Sequence, residues 1–249
     1  MVYKGGGCVE VYSLENAERF LNAFNRIENF LRKETNSKPG VSFVELVSRA
    51  SKFNNVVDKY KDDLREFAQL RNAIVHQTTE QPIAVPIDEV VQSIEFIAQY
   101  LLSPPKVIPT FQRKVFTMYD DDSVRNAMIN MYRKKYSQIP IYTRDGEFVF
   151  LLTTYTITMW LGECMDKNIL NPGDYLIRDV ACYEANCDNY RFVSSQATLF
   201  DVLEIFHHAQ RKGTKLEAVL ITDSGNIQDK LMGIITVWDL PQINEILNL

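Results

Sequence analysis

The chain has 249 residues, room for one large domain or two ordinary ones, and its 46% apolar and 24% charged residues are globular values that exclude wholesale disorder. Lys and Arg number 27 against 32 Asp and Glu, a formal charge of −5. Divided near Ser103, the counts are 12 against 14 and then 15 against 18, so neither part is basic enough to coat nucleic acid through bulk charge, and DNA is not an expected partner.

From the N-terminus, apolar residues recur at helical spacing: Phe20, Phe24, Ile27 and Leu31, then Phe43, Leu46, Val47 and Ala50. A third segment carries Val56, Val57, Tyr60, Leu64, Phe67, Leu70, Ile74 and Val75. After the breakers Pro82 and Pro86, Asp88 favours a helix start by its charge. A fourth stripe follows on Val90, Val91, Ile94, Ile97, Ala98 and Leu101, ended by Ser103-Pro104-Pro105. Residues 1–102 therefore predict an antiparallel helical bundle, with a linker over 103–107.

Beyond the linker the plan changes. IPIYTRDGEFVFLLT reads as two strands joined by Asp145-Gly146, a strong hairpin signal, and AVLITDSGNIQDKLMGIIT repeats it with a longer turn on Asp223, Ser224 and Gly225. A helix-like segment precedes each hairpin. Ala127 aligns with Val202 at an offset of 75, Ile139 with Ala218 at 79, and Thr153 with Thr236 at 83. Steady growth of the offset means a duplicated α/β unit, with insertions before and inside the second hairpin.

No run approaches the roughly 20 apolar residues of a bilayer span, and no cationic stretch precedes an apolar core at the N-terminus. A soluble cytoplasmic chain without membrane contact is expected. Cys8, Cys164, Cys182 and Cys187 are scattered, with no CxxC pair. They read as reduced thiols, and no metal site or required cofactor is expected. GxSxG, P-loop, GxGxxG and HExxH strings are missing. The acids Asp120, Asp121 and Asp122 read as a solvated turn at a helix start, and His207-His208 as surface.

The duplicated half resembles a tandem pair of CBS domains, through SQIPIYTRDGEFVFLLTTYT and LEAVLITDSG with LMGIITVWD. The resemblance implies two βαββα repeats, 107–168 and 169–249, packed as a pseudo-twofold pair. It further implies that a cleft between them holds an adenosine-containing ligand: AMP, ADP, ATP or S-adenosylmethionine. The family's glycine–apolar–apolar–Ser/Thr–x–x–Asp signature falls on Gly233, Thr236 and Asp239. A helix start there offers free N–H groups to phosphate, the threonine hydroxyl adds a hydrogen bond, and the aspartate accepts from both ribose hydroxyls. The same Thr and Asp also fit a helix-capping box. The first copy keeps Thr153 but has Phe150 and Thr156 in place of the glycine and aspartate, so its cleft is expected to be weak or empty. Thr110, Ser137, Ile139 and Pro140 fall where such modules touch base or phosphate.

The helical half carries Arg71-Asn72-Ala73-Ile74-Val75-His76. This string, with FNRIENFLRK, SFVELVSRASK and FAQLRNAIVH, resembles the HEPN domains, whose signature is Arg–polar–x–x–x–His. The resemblance implies a homodimer that brings Arg71, Asn72 and His76 of both chains into one cleft. There the ribose 2′-hydroxyl of RNA attacks the adjacent phosphate and leaves a 2′,3′-cyclic phosphate. Histidine moves a proton near neutrality and arginine stabilises the developing anion. The composite expectation is an adenine-nucleotide-sensing regulator with an RNA-cleaving dimer. The alternative is a non-catalytic, nucleotide-responsive dimeric adaptor.

Overall fold

The computed structural model describes residues 7–75, 84–168, 171, 175–184 and 189–248, with side chains from residue 15 onward. The chain divides into two compact units, 1–105 and 106–249.

In the first unit, α1 (Gly7–Glu34) buries Ala17, Phe20, Ala23, Phe24, Ile27 and Leu31, the stripe expected from its periodicity. Next come α2 (Phe43–Ala50), α3 (Asn55–Lys59), α4 (Lys61–Val75) and α5 (Asp88–Leu102). Ser42 caps α2 by accepting from the Glu45 N–H at 3.3 Å. The Phe24 ring stacks on Phe43 at 4.3 Å, and Phe20 meets Phe67 edge-on at 5.8 Å, so α1 packs on both α2 and α4. Arg19 donates to both Glu95 oxygens, at 3.0 and 2.7 Å, and ties α1 to α5.

The third apolar segment is broken where its spacing alone predicts continuity. Tyr60 has φ −103° and ψ 17°, which ends α3, and α4 restarts with Asp62 and Asp63 in its first turn, where acids suit the helix field. The Tyr60 ring is half-buried, edge-on to Phe96 at 6.5 Å. Burial, helped by Tyr100 and Asp63, pushes its phenol up to about 12. The apolar period runs through the bend because the half-buried side chain stays packed while the backbone turns.

The second unit begins with a short kinked turn, α6 (Val107–Thr110). The first copy is β1 (Met118–Tyr119), α7 (Val124–Lys134), β2 (Gln138–Tyr142), β3 (Phe148–Thr153) and α8 (Thr154–Asp166). A 3-10 helix over Ile177–Tyr183 follows. The second copy is β4 (Tyr190–Ser194), α9 (Leu199–Arg211), β5 (Ala218–Thr222), β6 (Gly233–Thr236), a 3-10 turn over Val237–Asp239 and α10 (Leu240–Ile246). Each copy makes a three-stranded sheet, β1-β2-β3 and β4-β5-β6, with the first pair parallel and the second antiparallel. The repeat inferred from offsets is therefore a repeat of connectivity.

Strand alternation sorts the core. Ile139, Ile141 and Leu152 face α7 and α8 together with Val124, Ala127, Ile157 and Trp160. Leu151, one residue from Leu152, points the other way and joins Ala218, Leu220, Phe148 and Phe192 in a cluster shared by the two sheets. Ile177 and Val180 are buried in the first copy's core, so chain beyond residue 168 still contributes to that core. At the first hairpin, Gly146 has φ +89°, a conformation that costs glycine little. Asp121 and Asp122 hold Arg144, whose hydrogen bonds keep the Asp121 carboxyl below its usual range. Asp122 also accepts the Tyr119 N–H at 2.9 Å, so the triple acid builds a turn. His207 and His208 are exposed on α9.

Candidate functional site

The end of β6 positions the principal site. Asp239 Oδ2 accepts from the Thr236 N–H at 2.7 Å and from its hydroxyl at 2.9 Å, which locks the strand-to-turn corner. Both expectations for this pair therefore meet in one geometry: it is a capping box, and the carboxylate still has capacity to accept. Arg113 reaches Asp239 at 3.3 Å and also donates to the Ile234 carbonyl. The Asp239 side chain is 15% exposed and that of Arg113 46%.

These residues line a pocket of about 270 Å³ with Lys114, Phe116, Lys135, Tyr136, Ser137, Gln138 and Trp238. Three cations against one carboxylate make it net positive. Phe116 and Tyr136 lie 5.9 Å apart on one wall. Trp238, between Thr236 and Asp239 in sequence, is 82% exposed and lines the pocket. Lys135 enters from the end of α7 in a left-handed conformation, φ +58°, which is unusual for a residue with a side chain. A cationic, aromatic-walled pocket with one held carboxylate suits a ligand with phosphate, a planar ring and paired hydroxyls.

Gly233 is in the signature for lack of space. A Cβ there would lie 2.3 Å from the Phe111 carbonyl oxygen and 3.1 Å from Ile221 Cδ1. The Phe111 backbone crosses the strand start, and Arg113 N–H then donates to Met232 at 3.1 Å. The missing side chain thus lets the segment bearing Arg113 reach the pocket.

Of the other residues read from sequence, Ser137 lines this pocket. Ile139 is wholly buried in the first copy's core, and Pro140 is buried opposite Leu151. Thr110 is exposed at the end of α6, three residues before Arg113. Thr153 and Thr156 are 2% and 0% exposed, and their hydroxyls lie 2.9 Å apart at the start of α8. In the helical unit, Arg71 and Asn72 end up side by side on α4, with Arg71 Nη1 donating to Asn72 Oδ1 at 3.4 Å. His76 lies outside the described residues.

Sequence reading missed Arg113, Lys114, Lys135 and Trp238. The adjacent Arg113-Lys114 and the indole inside TVWD were visible as residue types. What assigns them is the approach of the linker-side segment to β6, a long-range contact with no local pattern.

Among the described residues, no group of three or more His, Cys, Asp or Glu could hold a metal ion, and no helix is long and apolar enough to cross a membrane. Cys164 is buried and Cys182 exposed, both free. No curated protein matches the chain. Several solved structures are similar. CBSX2 in complex with AMP is 15% identical over 58% of this chain and 99% of that one, with a TM-score of 0.43. A CBS-domain containing protein from Agrobacterium tumefaciens is 17% identical over 53% of this chain and 85% of its own, with a TM-score of 0.39. An uncharacterized conserved protein from Pyrococcus horikoshii is 16% identical over 56% and 91%, also at 0.39. The family model of the CBS domain matches residues 110–158.

Proposed function

We propose that this protein is a regulatory protein that binds an adenine nucleotide in the pocket of Thr236 and Asp239. The observation that carries the reading is the Asp239 carboxylate, fixed by Thr236 at the edge of a net-positive, aromatic-walled pocket. Asp239 accepts from the ribose hydroxyls, Trp238 or Tyr136 stacks on the base, and Arg113, Lys114 and Lys135 meet the phosphates. Arg113 gates the site. Its contact with Asp239 is long and half exposed on the arginine side, a type of ion pair worth about 1 kcal/mol. An arriving ribose displaces it at small cost and leaves the guanidinium free to turn to phosphate.

Charge then ranks the ligands. Calorimetric titration is expected to give affinities in the order ATP, ADP, AMP, with S-adenosylmethionine weakest because its sulfonium faces three cations, and with ATP binding weakening as salt rises. Absence of binding by all four would overturn the reading.

For the helical unit the proposed activity is RNA cleavage by a homodimer through Arg71, Asn72 and His76, regulated by the nucleotide. Its support is the RNAIVH string and the adjacency of the Arg71 and Asn72 side chains on α4. Incubation of intact protein with mixed-sequence RNA and ATP is expected to leave cyclic phosphate ends, and His76→Ala to stop cleavage without changing the melting temperature. Equal cleavage by both proteins, or none with the site saturated by nucleotide, would instead favour the non-catalytic adaptor.

A further inference from the structure

Helix α9 buries Leu199, Phe200, Val202, Leu203 and Phe206. On its other side Glu204, His208 and Lys212 form one row at the spacing of a helical turn, and Ile205 with Ala209 the row beside it. A surface helix ordinarily turns polar residues outward, so this half-buried apolar row is a departure from the pattern. With Thr214, Leu216 and Arg191 the two rows line a cavity of about 500 Å³, larger than the pocket of Thr236 and Asp239 and sharing no residue with it.

The walls of this cavity are fixed. Thr214 bonds the Ala209 carbonyl through its N–H at 3.0 Å and its hydroxyl at 3.2 Å, which folds the loop after α9 back on the helix. Arg191 comes from β4. Its neighbours Tyr190 and Phe192 point into the cluster shared by the two sheets, so strand alternation turns Arg191 to the opposite face. There Arg191 Nη1 donates to the Tyr190 carbonyl at 2.7 Å, which holds the guanidinium against the strand. The cavity therefore opens on the helix side of the second sheet.

Charge and apolar surface meet in it. Residues 207–216 carry Arg211, Lys212 and Lys215 and no acid, in a chain whose net charge is −5. Arg211 pairs with Glu204, and Lys215 with Glu217 at 2.7 Å. The acid of the cavity is thus matched by a cation outside its lining. The rim keeps Arg191, Lys212 and the His208 imidazole around a floor of Ile205, Ala209 and the buried Leu216. Among the described residues no Phe, Tyr or Trp lines the cavity, so a base has nothing to stack on, and an inorganic anion would leave the apolar floor unused. A peptide with one aliphatic side chain between carboxylates complements both the floor and the rim.

We propose that this cavity is a docking site for an acidic peptide segment of a partner protein, with an aliphatic anchor on Ile205, Ala209 and Leu216 and flanking carboxylates on Arg191, His208 and Lys212. The site stands on its own geometry, independent of what occupies the pocket of Thr236 and Asp239.

The test uses the full chain and a fluorescein-labelled peptide, Glu-Asp-Glu-Leu-Asp-Glu, followed by anisotropy. Saturable binding is expected, weakening as salt rises, and a peptide with Lys at every acidic position is expected to bind at least about tenfold more weakly. Exchanging the peptide's Leu for Ser is expected to cost about tenfold, the loss of one buried aliphatic side chain. Arg191→Glu combined with Lys212→Glu is expected to reverse the preference, so that the lysine peptide binds and the acidic one does not. Both residues are exposed, and the melting temperature is expected to stay in place. Ala209→Gln, which lays a polar chain over the floor and leaves every charge in place, is expected to weaken the acidic peptide about tenfold. No saturable binding of the acidic peptide to wild type, equal binding of the acidic and lysine peptides, or indifference to the charge reversal or to Ala209→Gln would each overturn the proposal. So would a mixed-sequence RNA that displaces the peptide and binds more tightly, since the surface would then be one for nucleic acid.

Discussion

Asp239→Asn is expected to lower the affinity for ATP by about a hundredfold. Two ribose hydroxyls donating to a carboxylate make hydrogen bonds of the charged class, each worth about 1.5–3 kcal/mol. Asparagine keeps the size of the side chain but exchanges one accepting oxygen for an NH2 donor, which faces a guanidinium that cannot accept and hydroxyls that must turn from donating to accepting. A loss of about 3 kcal/mol converts to roughly a hundredfold in Kd. The fold should change little. The ion pair with Arg113 is long and half exposed on the arginine side, and contributes about 1 kcal/mol. The remaining oxygen can still cap the Thr236 N–H, which lies 2.7 Å from the native carboxylate. Binding and melting temperature measured on the same samples separate the two effects: a large loss of affinity with a small change in melting temperature is the expected pattern. An affinity equal to wild type would remove Asp239 from the site.

Gly233→Ala is expected to destabilise the second unit by about 2 kcal/mol and to weaken nucleotide binding with it. Gly233 lies outside the left-handed region, so backbone strain does not enter. The cost comes from space, since the new methyl would sit 2.3 Å from a backbone oxygen of the buried Phe111. A backbone atom cannot rotate away as a side-chain tip can. Overpacking of this kind costs about 1–3 kcal/mol, which at this chain length lowers Tm by about 2–4 °C per kcal/mol. Relief comes only from moving 111–113, and that displaces Arg113 from the pocket. Gly146 is the contrasting case: nothing lies within 4 Å of a Cβ there, and only its φ of +89° resists substitution. Thermal melts and ATP titration of Gly233→Ala check both parts; a variant as stable and as tight-binding as wild type would contradict the packing argument.

What could be read in the sequence follows from the range of each interaction. Helix faces such as Phe20, Phe24, Ile27 and Leu31 declare themselves because burial repeats every three or four residues along one element. The hairpin at Asp145-Gly146 and the capping geometry of Thr236 with Asp239 span at most a few residues, so local chemistry reveals them. The break at Tyr60 is hidden, because its half-buried ring stays packed on Phe96 and keeps the apolar period intact while the backbone departs from the helix. Arg113 is hidden for a different reason. It reaches Asp239 across 126 residues of chain, and nothing in local composition marks the meeting. Ile139 is the reverse case, a residue carried into the candidate site by family position whose side chain the β2 alternation turns into the core.

The central claim is that the Thr236–Asp239 corner holds the ribose of an adenine nucleotide. A crystal structure of the full chain grown with ATP tests it most directly. The account predicts both ribose hydroxyls within about 3 Å of the Asp239 carboxylate, Arg113 turned from Asp239 toward phosphate, and the base against Trp238 or Tyr136. ATP bound elsewhere, or a corner left unchanged with Arg113 still on Asp239 at saturating ATP, would contradict it.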